Sequence, residues 1–139
     1  MNRKAECCCG ACVVKVKGEP LLNGICNCKD CKKRTGSAFG HSAYFAESNF
    51  ELVTGDLQSY HLTNAGGKQQ RQFCIKCGTT LFWTSETFKN CIGIAGGCFI
   101  EKPLPKPECI AQAETQCGWL NFDSDIRIGL TIDDIPVVD

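Results

Sequence analysis

Three short cysteine-rich runs hold the side chains best able to do chemistry: Cys7-Cys8-Cys9-Gly10, Cys26-Asn27-Cys28-Lys29-Asp30-Cys31 and Cys74-Ile75-Lys76-Cys77-Gly78. The chain has 13 cysteines, an odd number that cannot pair off completely within one molecule. Thiols this close in sequence suit convergence on one ion better than bonding to one another. In the third run, Cys-x-x-Cys-Gly lets two thiolates face one ion while the glycine takes the positive φ that closes the turn. A redox dithiol is the competing reading, but it needs the pair at the start of a helix after a strand. Here Thr79-Thr80-Leu81-Phe82-Trp83 reads as a strand. The spacings match no ferredoxin-type iron–sulfur run, so zinc is the expected metal.

The middle run is chemically different. It supplies three thiols, Cys26, Cys28 and Cys31, and no obvious fourth ligand nearby. Three protein ligands plus an open position is the pattern of a catalytic zinc, to which an incoming thiol can bind as thiolate. A closed structural site is the alternative, with Cys91, Cys98, Cys109 or Cys117 supplying a fourth sulfur. The cations Lys29, Lys32, Lys33 and Arg34 surround the run. They offset the charge of a zinc tris-thiolate and could attract a carboxylate-bearing ligand; a solvated helix face is the plainer reading. Cys98 is a spare thiol of interest, because Gly96-Gly97 lets the backbone approach a ligand closely. Cys8 and Cys12 read as small buried hydrophobes. His41, in a loop, and His61, in a strand-like run, read as non-ligands, and Trp83 and Trp119 as core or rim packing.

Positioning these runs calls for many short strands. Stretches at 12–17, 43–45, 50–53, 57–62, 79–84 and 91–95 are β-branched, aromatic or alternating, and turns such as Thr54-Gly55-Asp56 and Asn64-Ala65-Gly66-Gly67 separate them. The polar run from Lys68 to Gln72 reads as solvent-facing. Helix is expected only at Lys29 to Thr35, ended by Gly36, and Gly118 to Phe122 reads as a turn. Lys102-Pro103-Leu104-Pro105-Lys106-Pro107 must be extended loop. The expectation is one mainly β domain over residues 1–139, a length that suits a single core.

Charge and hydropathy exclude several classes of partner. Lys plus Arg is 15 and Asp plus Glu is 15, a net charge of zero, which argues against a phosphate-neutralising nucleic-acid surface. No apolar run approaches the ~18 residues of a membrane span. Met1-Asn2-Arg3-Lys4-Ala5-Glu6 leads straight into cysteines without the apolar core of a signal peptide. A cytoplasmic protein without nucleic-acid or membrane partners is expected.

Taken together, the clusters resemble the glutathione-dependent formaldehyde-activating family, which shares its domain with centromere protein V. The family's Cys-x-Cys-Gly-Ala is matched by Cys7-Cys8-Cys9-Gly10-Ala11. Its Cys-His-Cys-x-x-Cys with a basic run into Thr-Gly-Ser-x-Phe is matched by Cys26 to Cys31 and Lys32-Lys33-Arg34-Thr35-Gly36-Ser37-Ala38-Phe39. Its Phe-Cys-x-x-Cys-Gly-Thr-x-Leu is matched by Phe73 to Leu81. The chain departs at Asn27, where the family has histidine, at Cys98-Phe99-Ile100-Glu101, and in the approach to Trp119.

The resemblance implies an Mss4-like fold of several small antiparallel sheets, little helix and two zinc ions. A structural ion would sit on Cys7, Cys9, Cys74 and Cys77, and a substrate-facing ion on Cys26, Cys28 and Cys31. Linking the first and third runs closes a loop of roughly 65 residues, which by analogy with a disulfide removes about 4 kcal/mol of unfolded-state freedom. That is comparable to the net stability of a small domain. The resemblance also implies a carbon–sulfur lyase that joins or separates a thiol such as glutathione and a small aldehyde such as formaldehyde, through an S-hydroxymethyl adduct. Lys29, Lys32, Lys33 or Arg34 would then hold the thiol's carboxylates, and Thr35, Ser37 and Phe39 would line the mouth. The alternative is a zinc-stabilised binding module of Mss4-like fold without chemistry.

Overall fold

Period-two alternation builds the strands at the start of the chain, and turn glycines end them. The computed structural model describes residues 1–139. In chain order it contains β1 (Asn2–Glu6), β2 (Val13–Lys17), β3 (Leu22–Cys26), α1 (Lys29–Thr35), β4 (Gly40–Ala46), β5 (Phe50–Thr54), β6 (Leu57–Asn64), β7 (Gly67–Cys74), β8 (Thr80–Ser85), β9 (Cys91–Ala95), β10 (Cys109–Ala111) and β11 (Arg127–Ile128). Short 3-10 turns complete the regular structure. The chain is therefore mainly β with one short helix, as expected.

Two sheets share these strands. In β2, Val14 and Val16 are buried while Lys15 and Lys17 are exposed, the signature of a strand with one wet face. It lies between β1 and β5 in a three-stranded antiparallel sheet. The other sheet has eight strands in the order β11-β10-β3-β4-β9-β8-β7-β6. Its pairings are antiparallel except at β10, which runs parallel to both β3 and β11.

The main core lies where the two sheets meet. Val14 and Val16 from the small sheet pack with Ala43, Phe45, Leu81, Ile92 and Ile94 from the large one. Cys7, Cys12 and Cys74 belong to the same cluster, so the first and third cysteine runs are anchored directly in the apolar interior. Cys12 is fully buried, as its hydrophobic reading requires.

Several local expectations are corrected by this arrangement. Lys68 to Gln72 faces solvent only in part: it lies inside β7, hydrogen-bonded between β6 and β8, with Lys68 exposed, the glutamines half-buried and Arg71 buried. His41 lies within β4 rather than in a loop. Cys8 is exposed, as is Cys9; of the three consecutive cysteines only Cys7 is buried. Trp119 is 74% exposed and packs in no core, whereas Trp83 is buried. In β3 Leu22, Asn23 and Ile25 are all buried, so no polar–apolar alternation marks this strand in the sequence.

Candidate metal centres and the adjoining cavity

The first centre is built from two knuckles of the same local design. Residues 7–10 turn back with Gly10 donating to the Cys7 carbonyl at 3.0 Å, and residues 74–78 with Gly78 donating to the Cys74 carbonyl at 2.9 Å. Both glycines sit at left-handed φ, 78° and 79°, where any side chain would be strained. Thr79 joins the knuckles: its hydroxyl accepts from the Cys8 amide at 3.0 Å and lies 3.2 Å from the Cys77 sulfur. The Cys12 and Lys76 amides donate to the sulfurs of Cys7 and Cys74. Such bonds stabilise a thiolate, and the Thr79 hydroxyl foremost holds Cys77 down to about 5.

Tertiary structure thereby brings Cys7, Cys9, Cys74 and Cys77 together, with all four sulfurs within 4.8 Å of one another. All thirteen cysteines are free thiols. Cys9 lies 3.7 Å from the Cys7 sulfur and 3.8 Å from that of Cys74. Those spacings far exceed a disulfide bond and match the edge of about 3.8 Å expected of a tetrahedron with zinc–sulfur bonds of 2.3 Å. The donor set fits a four-coordinate metal.

The second centre sits where β3 runs into α1. Cys26 closes β3, and Cys28 caps α1, its sulfur accepting from the Cys31 amide at 3.3 Å. One helical turn therefore brings Cys28 and Cys31 to the same end of α1, and Cys26, Cys28 and Cys31 lie within 4.8 Å of one another. The sulfurs share charge unevenly. Hydrogen bonds from Cys26 and then Cys31 pull Cys28 down to about 2, while Cys26 and then Cys28 push Cys31 far up. Three thiolates at this separation repel, so full ionisation requires a cation among them. Neither Cys91, Cys98, Cys109 nor Cys117 joins this set, which leaves three protein donors.

A cavity of about 420 Å³ opens between the two centres. Arg34, Thr35, Ser37 and Phe39 line it from the end of α1 and the turn that follows, and His41 from β4. Gly78, Thr79 and Thr80 contribute the wall on the side of the first centre, and Gly96, Gly97 and Cys98 the wall beyond β9. Gly40 explains the close fit beside the second centre. A Cβ there would stand 3.0 Å from both Arg34 Nη2 and Cys31 Cβ. Phe39 meets Phe122 edge-on at 5.2 Å, which braces the mouth. Burial pushes the Cys98 thiol up to about 11, against the pull of Arg34. A hollow of about 600 Å³ around His61 and Lys68 shares no residue with either cysteine set.

The basic residues of α1 part company. Arg34 alone enters the cavity; its buried Nη2 has no hydrogen-bond partner. Lys32 donates to the Thr115 carbonyl, and Lys29 and Lys33 are exposed. The Thr35 and Ser37 hydroxyls lie 2.8 Å apart, and both are within hydrogen-bond reach of the Phe39 carbonyl, at 3.2 and 2.8 Å. His41 reads in the sequence as a non-ligand, and Thr79 and Thr80 as part of a strand, although both threonines fall within the Phe73 to Leu81 motif. Gly96-Gly97 is the sequence signal for the wall beyond β9.

Comparison with known proteins agrees with these features. The family model described as glutathione-dependent formaldehyde-activating enzyme matches residues 2–115. A solved structure of a Rhodobacter sphaeroides protein is 22% identical, aligns over 69% of this chain and 86% of that one, and superimposes with a TM-score of 0.53. That likeness speaks to the fold alone. No curated protein matches the chain. No helix is long and apolar enough to cross a membrane. With the family match spanning every cysteine of both candidate centres, the chain belongs to the glutathione-dependent formaldehyde-activating family.

Proposed function

We propose that the protein binds two zinc ions and acts as a carbon–sulfur lyase, joining or separating a glutathione-like thiol and a small aldehyde such as formaldehyde through an S-hydroxymethyl adduct. The observation that carries this reading is the incomplete donor set of Cys26, Cys28 and Cys31 beside a polar cavity containing Arg34. Zinc bound to three thiolates supplies an open position at which an incoming thiol has its pKa lowered. Cys7, Cys9, Cys74 and Cys77 form a complete set, and their proposed role is architectural.

The chain's own residues would do the rest. The unpaired Nη2 of Arg34 offers a donor to a ligand carboxylate. Burial draws the guanidinium below its ordinary value, and the Cys31 charge opposes this. Thr35 and Ser37 present hydroxyls, and Phe39 forms an apolar wall. Lys29, Lys32 and Lys33 add positive field at the approach. A binding module without chemistry is the second reading. It draws support from the three sulfurs being half-buried and contributing nothing to the cavity lining.

Two-dimensional exchange NMR of formaldehyde with glutathione tests the proposal. Catalytic amounts of the zinc-loaded protein should accelerate exchange beyond the buffer rate. Acceleration only at stoichiometric protein, or none, would sink the lyase reading in favour of the module.

A further inference from the structure

Asn23 in β3 is 4% exposed, and its amide can face only one way. Nδ2 donates to the Pro105 carbonyl at 2.8 Å and reaches that of Lys106 at 3.5 Å. Carbonyls only accept, so the amide nitrogen must point toward them and Oδ1 toward the Nε2 atom of His41. Oδ1 also only accepts. The hydrogen on the His41 ring is therefore on Nε2, and in the neutral imidazole Nδ1 is a bare lone pair.

That lone pair has no protein partner, and the ring lines the cavity beside Arg34, Ser37 and Cys98. Gly96 makes the placement possible: a Cβ there would stand 2.4 Å from both Cγ and Nδ1 of the ring. The charged or titratable groups around the ring are Arg34 from α1, Cys98 from the turn after β9 and, behind Asn23, Glu108, which accepts from the Asn23 backbone N–H at 3.2 Å. Burial, then the Arg34 charge, holds the imidazolium below its ordinary value. Both effects favour the neutral ring, and its Nδ1, without a protein partner, is carried by a residue that lines the cavity.

We propose that His41 is the proton carrier of this cavity, taking the proton of the thiol on Nδ1 and returning it to the aldehyde oxygen. The proposal rests on the thiol–aldehyde reading above and adds the group that moves the proton. In the forward direction the S–H bond breaks toward Nδ1 and the sulfur electron pair forms the S–C bond. The carbonyl π pair moves onto oxygen, which then takes the proton from Nδ1. The ring returns to its neutral state, nothing is oxidised or reduced, and the reverse sequence cleaves the adduct. A base of this kind contributes roughly 10²-fold or more.

The test has two arms. Long-range ¹H–¹⁵N NMR of the zinc-loaded protein, with the other histidine signal assigned by His61→Gln, should show His41 as the Nε2–H tautomer titrating below 6.5. A Nδ1–H tautomer would overturn the proposal whatever the activity. In the second arm, formaldehyde–glutathione exchange is compared for wild type and His41→Gln at equal zinc content. The expected result is a loss of about 10²-fold in kcat, little change in KM for the thiol, disappearance of the acid limb of the pH profile, and partial rescue by added imidazole. A variant within twofold of an active wild type, with the same pH profile, overturns the role of His41 alone. An inactive wild type overturns this proposal together with the lyase reading.

Discussion

Arg34 sits over Trp83, its guanidinium carbon 4.4 Å from the centre of the indole ring. Trp83 in turn donates through Nε1 to the Tyr44 hydroxyl at 3.1 Å, and Tyr44 stacks on Phe88 with 3.8 Å between ring centres. A cation–π contact in a desolvated setting stabilises by about 2 kcal/mol. The stack thus holds a cation at the edge of the cavity and fixes the direction of its donors.

Arg34→Lys keeps the charge but gives up the planar fork and the stacking surface. Binding of glutathione, measured by calorimetry, should weaken about tenfold, equivalent to roughly 1.4 kcal/mol, and the lost stacking on Trp83 should lower the melting temperature by several degrees. Unaltered affinity would show that the carboxylates are held elsewhere.

Gly93 in β9 is where the aromatic stack leaves no room. A Cβ on this residue would stand 2.2 Å from Trp83 Nε1 and 2.8 Å from Tyr44 Cε1. Its backbone is ordinary for a strand, so the effect of Gly93→Ala is steric. The variant should lose about 1–3 kcal/mol in urea unfolding, with a companion loss of near-ultraviolet Trp83 signal.

The two cysteine sets should respond differently to serine. Cys77→Ser opens the set that ties residues 7–10 to residues 74–78 across the core, and should give unfolded or insoluble protein. Cys28→Ser should fold and retain one zinc per chain by native mass spectrometry. A well-folded, zinc-replete Cys77→Ser protein would contradict the architectural role. A chelator should strip the second centre before the first, with unfolding accompanying only the second loss.

Stability should fall in mild acid through His41. Its folded-state value lies below the ordinary 6.5 because burial, then Arg34, disfavour the imidazolium. The unfolded state binds the proton more readily, so this stabilisation is present above pH 6.5 and is lost as pH falls through the folded value. His41→Gln should therefore show a shallower stability decline between pH 7 and pH 5 than wild type in matched urea titrations.

The short-range features of this chain are legible in its sequence. Cys-x-x-Cys-Gly and Cys-x-Cys-x-x-Cys encode their turns within a few residues, and the Lys29–Thr35 helix ends at Gly36, with φ 63°, where its glycine says it should. Strands with one wet face, such as β2, announced themselves by alternation. Strands covered on both faces did not: β3 and the polar β7 owe their place to neighbours in the sheet, and β10 is recruited in parallel from far along the chain.

By itself the sequence determined which atoms can grip a metal, since thiol identity and turn spacing are local properties, and the order of motifs identified the family. Only the tertiary structure decided that Arg34, and not its lysine neighbours, enters the cavity, and that Trp83 lies beneath it. It also decided the proton position on His41, which depends on Asn23 and on the Pro105 carbonyl 82 residues further along. Contacts between residues so far apart leave no periodic trace in the chain; they follow from which strands become neighbours and which side chains are left without water.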